Sequence, residues 1–301
     1  MNESNRAERV SDFWGDEKAD VRKHNWLEHP VARAFINFRV SGDPEVGVAE
    51  HWRRTYLSTP APLALSVGCG FGGFERDAFR MGLAERFEAI DISSKAVDQA
   101  RAYAAEAGLS DRITYSAVDL EREALPENRY DAIFGISSIH HVKDLEGLFG
   151  QCHRALKPGG LFFLEEYVGP SRFQSDSDTV QKINELLHFL PEHYRKSVYL
   201  EGRPRDTYEN TPLSWFAEND PSEAVRSKEI IPVLEQLFDV IEYRPYGGAL
   251  LHMLLSGTAG NFDPTVDADA ALLRVIALTE VWLEKAGALS SDFAAIVAKP
   301  K

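Results

Sequence analysis

The feature that most constrains this chain is Gly68-Cys69-Gly70-Phe71-Gly72-Gly73, set between an apolar run and a helical stretch. Leu63-Ala64-Leu65-Ser66-Val67 precedes it, and Phe74–Arg80 reads as a helix. Glycines at a strand-to-helix turn let the backbone adopt angles that other residues avoid and come close to a ligand. The amides that open the helix can receive polar or anionic groups. Gly68, Gly70 and Gly73 fit the spacing GxGxxG, and Gly68, Gly70 and Gly72 fit GxGxG. The glycines do not decide between these, and a tight turn without a ligand is the plain alternative.

The pattern downstream repeats strand and helix. Phe87–Asp91, Ile113–Ala117, Tyr130–Ile136 and Leu161–Val168 read as further strands, with helices over Ser94–Ala107 and Leu145–Leu156. Lys157-Pro158-Gly159-Gly160 is expected to stop the second helix and turn the chain into its strand. Such alternation predicts a parallel sheet covered on both faces. Later, Phe238–Tyr243 and Asp292–Ala298 read as strands, and Leu250–Leu255 and Ala270–Ala286 as helices. Asp220-Pro221-Ser222-Glu223 has the chemistry of a helix start, with a side-chain cap, Pro in the first turn and a reciprocal Glu. Residues 1–60 form an expected helical cap segment, including a short helix near 46–57. Residues 61–301 form one domain with helical insertions at about 170–236 and 247–290.

Charge narrows the partners. The chain has 33 Lys plus Arg against 47 Asp plus Glu, a formal charge of -14. That surface repels phosphate backbones, so nucleic acid is not expected. Cys69 and Cys152 are too far apart in sequence for a disulfide framework or a zinc site. The start of the chain shows no signal pattern, and no apolar run reaches the roughly 18 residues that span a bilayer. A cytoplasmic protein is expected.

Asp91 ends the second strand, where a carboxylate can accept from both hydroxyls of an adenosine ribose. NAD and S-adenosylmethionine (SAM) share that group. Three later features favour SAM: Val118-Asp119-Leu120, the run Tyr130-Asp-Ala-Ile-Phe-Gly-Ile-Ser-Ser-Ile-His-His141, and Arg154-Ala-Leu-Lys-Pro-Gly-Gly-Leu-Phe-Phe-Leu164. With the glycine turn and Asp91, in this order, they resemble the class I SAM-dependent methyltransferases of small molecules, the type 11/12-like group. The resemblance implies an α/β fold, a seven-stranded, mostly parallel Rossmann-like sheet with the last strand antiparallel. It implies SAM as cofactor and S-adenosylhomocysteine (SAH) as product. It places Gly68, Cys69, Gly70 and Gly72 around the methionine part, Asp91 on the ribose and Ile92 on the adenine face. Asp119 and Leu120 would hold the adenine edge, and Ile136 would line the pocket. Where the family has an acidic residue two positions before the first glycine, this chain has Ser66, so compensation from a residue such as Glu75 is allowed for. The wider chain resembles a bacterial methyltransferase group with a Trp-rich opening segment, here Phe13-Trp14, Lys18, Asn25-Trp26-Leu27 and His29-Pro30.

Methyl transfer is an in-line displacement at a carbon on a sulfonium. Holding the acceptor in line supplies roughly 7–11 kcal/mol. A hydroxyl acceptor also gains from a base, worth ~100- to 10,000-fold. His140 and His141 follow the fourth strand, on the sheet edge where ligands bind, and are candidate bases. Glu165 and Glu166 end the fifth strand; alternation turns one of them to the pocket, and Glu166 is the candidate. Arg172 and Arg226 are candidate clamps for an acidic acceptor group, with Tyr246 beside them. His252 reads as a core histidine, and Trp14 and Trp26 as core aromatics or covers for the cofactor. Cys69 reads as a small packing residue, not a nucleophile. No metal-ligand spacing appears. The leading expectation is methylation of a sugar or glycan-linked hydroxyl, then of an amine or phenol. The alternatives are a nicotinamide-dependent oxidoreductase and a non-catalytic partner protein. Aromatics of the cap also suit a homodimer face.

Overall fold

The computed structural model describes residues 24–120 and 122–301. The expectations placed on Phe13, Trp14 and Lys18 lie outside those residues. Among the described residues, the single turn Trp26–Glu28, α1 (Pro30–Ser41) and α2 (Val48–Thr55) come before the first strand. His29 starts α1 through both ring nitrogens: Nδ1 accepts from the Val31 amide at 3.3 Å, and Nε2 donates to the Phe262 carbonyl at 2.7 Å. Pro30, at the first helical position, loses nothing by lacking an amide proton. Trp52 of α2 is fully buried, with its ring centroid 5.3 Å from Phe163. This part of the expected cap is therefore part of the sheet's own core.

The sheet follows. β1 (Ala64–Val67), α3 (Gly73–Met81), β2 (Phe87–Asp91), α4 (Ser94–Glu106) and β3 (Ile113–Ala117) build one half. β4 (Tyr130–Ile136), α5 (Leu145–Ala155) and β5 (Leu156–Tyr167) start the other. After them come α6 (Ser177–Phe189), α7 (Glu192–Arg195), α8 (Leu213–Glu218) and α9 (Ile230–Leu237). β6 (Phe238–Gly247), α10 (Leu251–Leu255), α11 (Asp267–Lys285) and β7 (Phe293–Pro300) complete the fold. The strand order is 3-2-1-4-5-7-6, and β7 runs antiparallel to both its neighbours. Order reverses between β1 and β4, and open α/β sheets bind ligands at the carboxyl edge of that switch.

Alternation along each strand divides the core in two. Ala64, Phe87, Phe134, Phe163 and Val297 face one layer, with α1, α2, α4 and α11 over it. Leu65, Ile90, Ile133, Leu164 and Ile296 face the other, under α5 and α9. Phe134 and Phe163, on adjacent strands, stack at 5.0 Å.

Two expectations change. The Lys157–Gly160 segment stays in β5: Leu156 pairs with Tyr130, the register then shifts, and Leu161 pairs with Ala132. The turn is thus a bulge, taken up by Gly159 at φ +84°. Asp220 starts no α-helix. Its Oδ1 accepts the Ser222 and Glu223 amides at 3.0 and 3.2 Å, but Ala224 then takes φ +46°, which ends the helical path. What results is a capped turn, whose Glu223 side chain is directed elsewhere.

Candidate active site

The glycine turn leaves β1 at the switch point. Gly68 has φ +71°, and a Cβ there would stand 2.4 Å from Cβ of Ser138. Gly72 has φ +73°, and a Cβ there would collide with the Tyr115 ring. Two neighbouring segments are therefore packed against bare backbone, which explains why glycine is needed at both positions. The Ser138 hydroxyl donates to the Val67 carbonyl at 2.7 Å, tying the loop after β4 to the end of β1.

Asp91 sits beside this turn. Its Oδ2 accepts from the Gly70 amide at 2.8 Å and its Oδ1 from the Ser93 amide at 2.8 Å. Each oxygen keeps a second lone pair, so the carboxylate remains able to receive a diol. Ile92 is more than one third exposed beside it. Asp119 lies beyond β3 and pairs with Arg122 at 3.3 Å. The Leu120 carbonyl takes the Gln151 amide at 2.8 Å. Ile136, half-buried, ends β4. Cys69 is buried, and burial pushes its thiol well above the ordinary range, so it is no nucleophile.

The second group surrounds the end of β4. Ser137 takes φ +49°, and the single turn Ile139–His141 follows. Glu166, fully buried on β5, organises it. Its Oε2 receives the amides of Ser138 and Ile139 at 2.9 and 2.7 Å, and its Oε1 receives the Tyr167 amide at 3.0 Å and His140 Nδ1. On the other side of the ring, His140 Nε2 stands 3.5 Å from Glu223. Burial opposes a charge on His140, but Glu166 and Glu223 outweigh it and raise its pKa to about 10. Burial likewise works against a charge on Glu223, yet the contact with His140 acts to hold its carboxyl below the ordinary range. The two carboxylates that flank the ring thus favour the imidazolium form of His140, which argues against the role of base expected for it.

His141 differs. Its ring centroid is 4.1 Å from that of His140, and burial together with that cation lowers its pKa. The Ser222 hydroxyl lies 3.2 Å from His141 Nδ1 and 2.6 Å from Asp220 Oδ1. Its one proton goes to Asp220, so Nδ1 is the donor and the basic lone pair of His141 is on Nε2. Glu166 has no capacity left to act as a base, which corrects that expectation too. The donor atoms of His140, His141 and Glu223 lie within 4.8 Å of one another, close enough to share a cation. Sequence spacing gave no sign of this, because the ion pairing of His140 and Glu223 is made by the fold.

Three expected substrate contacts are structural instead. Arg172 donates to the carbonyls of Pro221 and Glu223 at 2.8 Å each, and its guanidinium lies over the Phe216 ring. It fixes the 220–223 turn. Arg226 pairs with Glu146 and Glu229 at 2.7 and 2.8 Å. Tyr246 is buried and stacks on Phe293, beside the equally buried Trp26. His252 is half-buried, with its ring among those of Tyr167, Phe173 and Phe293. Glu165 faces the opposite layer from Glu166 and pairs with Arg33 at 3.2 Å. Glu223, Ser222 and Asp220 are the site residues that the sequence did not reveal.

A methyltransferase-domain family model matches residues 65–164. The chain is 32% identical over 162 residues to a sterol 24-C-methyltransferase of Gibberella zeae, covering 52% of this chain and 41% of that one. It is 30% identical over 246 residues to a sterol 24-C-methyltransferase of Pneumocystis carinii, covering 68% and 64%. The aligned part thus spans less than two thirds of either relative. A geranyl diphosphate C-methyltransferase from Streptomyces coelicolor A3(2) shares the fold, with TM-score 0.53 and 18% identity over 98% of this chain and 97% of that one. No helix among the described residues is long and apolar enough to cross a membrane. The glycine turn, the 3-2-1-4-5-7-6 sheet and the domain match set aside the nicotinamide alternative, and the chain belongs to the class I SAM-dependent methyltransferases.

Proposed function

We propose that this protein transfers the methyl group of SAM to a hydroxyl of a small polar acceptor, a sugar or glycan-linked hydroxyl in the first place. The observation that carries the reading is the pair of adjacent rings, His140 held between Glu166 and Glu223 and His141 fixed at Nδ1 by Ser222. Bound SAM supplies an electrophilic methyl carbon on a sulfonium. Gly68, Gly70 and Gly72 hold its amino-acid end, Asp91 its ribose, and Ile92, Asp119 and Leu120 its adenine. His141 Nε2 accepts the hydroxyl proton as the oxygen attacks. Ser222 and Asp220 fix the His141 ring through Nδ1, and the His140 charge keeps His141 unprotonated at neutral pH. The segments around α6–α8 and α10 and the helices α1 and α2 select the acceptor.

A second reading comes from the names of the relatives, which methylate carbon. The cluster of Phe173, Tyr167 and His252, with ring centroids 4.7 to 5.9 Å apart, favours it, since these rings would give the site an apolar side. The deciding experiment measures SAH release with sugar alcohols, phenols, amines and isoprenoids, and locates the new methyl by nuclear magnetic resonance. An O-methyl product whose formation is lost in His141→Ala supports the first reading. A C-methyl product replaces it with the second.

A further inference from the structure

The first strand lacks the carboxylate that the cofactor's charged end would meet, and the structure supplies one from the next helix. Ser66, buried on β1, donates its hydroxyl to Oε1 of Glu75. Glu75 stands in the first turn of α3, just past the glycine turn, and is 1% exposed. Its second oxygen, Oε2, is buried with no hydrogen-bond partner among the described residues. Two side-chain charges act on it: Arg76, which favours its ionised form, and Asp91 at the end of β2, which opposes it; its own charge is felt by Cys69 in the turn and Tyr115 on β3. The nearby cation, Arg76, donates to the Phe71 carbonyl at 2.8 Å and lies over the Tyr103 ring. A buried carboxylate is costly unless its oxygens are paired and hydrogen-bonded, and Oε2 has no such partner among the described residues. Burial accordingly lifts Glu75 to about 7.

We infer that Glu75, positioned by Ser66, binds the ammonium of the cofactor's amino-acid end, so that the anchoring carboxylate of this chain has moved from the first strand to the helix after it. The inference rests on the SAM reading and concerns how this chain meets the cofactor's charge. It also gives the cofactor affinity a pH dependence. The ionised carboxylate attracts the ammonium, whereas below about 7 the protonated form does not.

The test compares SAH with 5′-methylthioadenosine, which has the same nucleoside but no amino-acid end. Calorimetric titration at pH 8 should show Glu75→Gln weakening SAH by about tenfold to a hundredfold, the range for a hydrogen bond to a charged group. Methylthioadenosine binding should stay unchanged, which also reports an intact fold. Ser66→Asp added to Glu75→Gln should restore at least part of the SAH affinity. In the unmodified protein, the ratio of SAH to methylthioadenosine affinity should rise between pH 6 and pH 8. Equal SAH binding by the parent and Glu75→Gln, equal weakening of both ligands, or a flat ratio with pH would overturn the inference while leaving the SAM reading in place. If neither ligand binds the parent protein, the SAM reading itself falls, and this inference with it.

Discussion

Glu166 holds His140 by Nδ1 while the same carboxylate receives the amides of Ser138 and Ile139, so one side chain sets both the loop after β4 and the charge state of its histidine. The consequence is electrostatic. Removing the negative charge lowers the affinity of His140 for its proton, and His141 then has a weaker cation beside it. The pKa of His141 should rise. In Glu166→Gln, the acid limb of kcat/KM should therefore move to higher pH than in the parent enzyme, together with a fall in kcat. A purely structural role for Glu166 would lower the rate without moving the limb.

His141 is assigned the proton transfer. His141→Ala should lower kcat by ~100- to 10,000-fold with little change in SAH affinity. The His141 pKa lies below its ordinary value, so protonation removes the base only in acid. The parent rate should be flat through neutrality and fall only at a pH more acid than the ordinary histidine range. Ser222→Ala removes the partner that fixes the ring at 3.2 Å and should cost less than loss of the ring itself. A fall in rate that starts above the ordinary histidine range, or an active His141→Ala enzyme, would exclude the assignment.

Asp91 joins the ends of β1 and β2 by receiving the Gly70 and Ser93 amides. If it also takes the ribose diol, Asp91→Ala should weaken SAH and methylthioadenosine alike, since both carry that diol. The loss should be about tenfold or more, from one charged hydrogen-bonding group. This pattern differs from that expected of Glu75→Gln. Equal SAH binding by the parent and Asp91→Ala would remove the ribose role.

What the sequence revealed and what it concealed follow one physical division. β2, β3 and β4 have the bounds expected, because each is a short apolar run ended by turn residues, and local signals suffice for that. The glycine turn was equally legible, since its chemistry lies in six consecutive residues. Arg172 and Arg226 mark the limit of a sequence reading, because a guanidinium has the same sequence appearance whether it meets a ligand or its own chain. Here their partners are backbone carbonyls at 220–223 and the carboxylates of Glu146 and Glu229. Glu223 was hidden for a similar reason. Its local setting reads as a reciprocal helix cap, but Ala224 breaks the helix and the carboxylate is drawn to His140. Tertiary pairing overrode local preference there.

A last prediction concerns stability, at a carboxylate outside the cleft. Asp292 precedes β7 and is buried, and burial with the charges of Glu280, Glu284 and Asp176 raises its pKa to about 7. The unfolded chain would titrate this group near 3.8. Between those values the folded state holds a proton that the unfolded state has lost, so stability falls as pH rises from about 4 through 7. Asparagine has the same shape, which matters because the side chain is packed against Gly169. It carries no charge, so the repulsion from the surrounding carboxylates is removed. Asp292→Asn should therefore raise the melting temperature at pH 8 by several degrees and have little effect at pH 5. Thermal unfolding of both proteins at the two pH values measures this directly, and a variant less stable than the parent at pH 8 would show that the ionised carboxylate is held by favourable contacts.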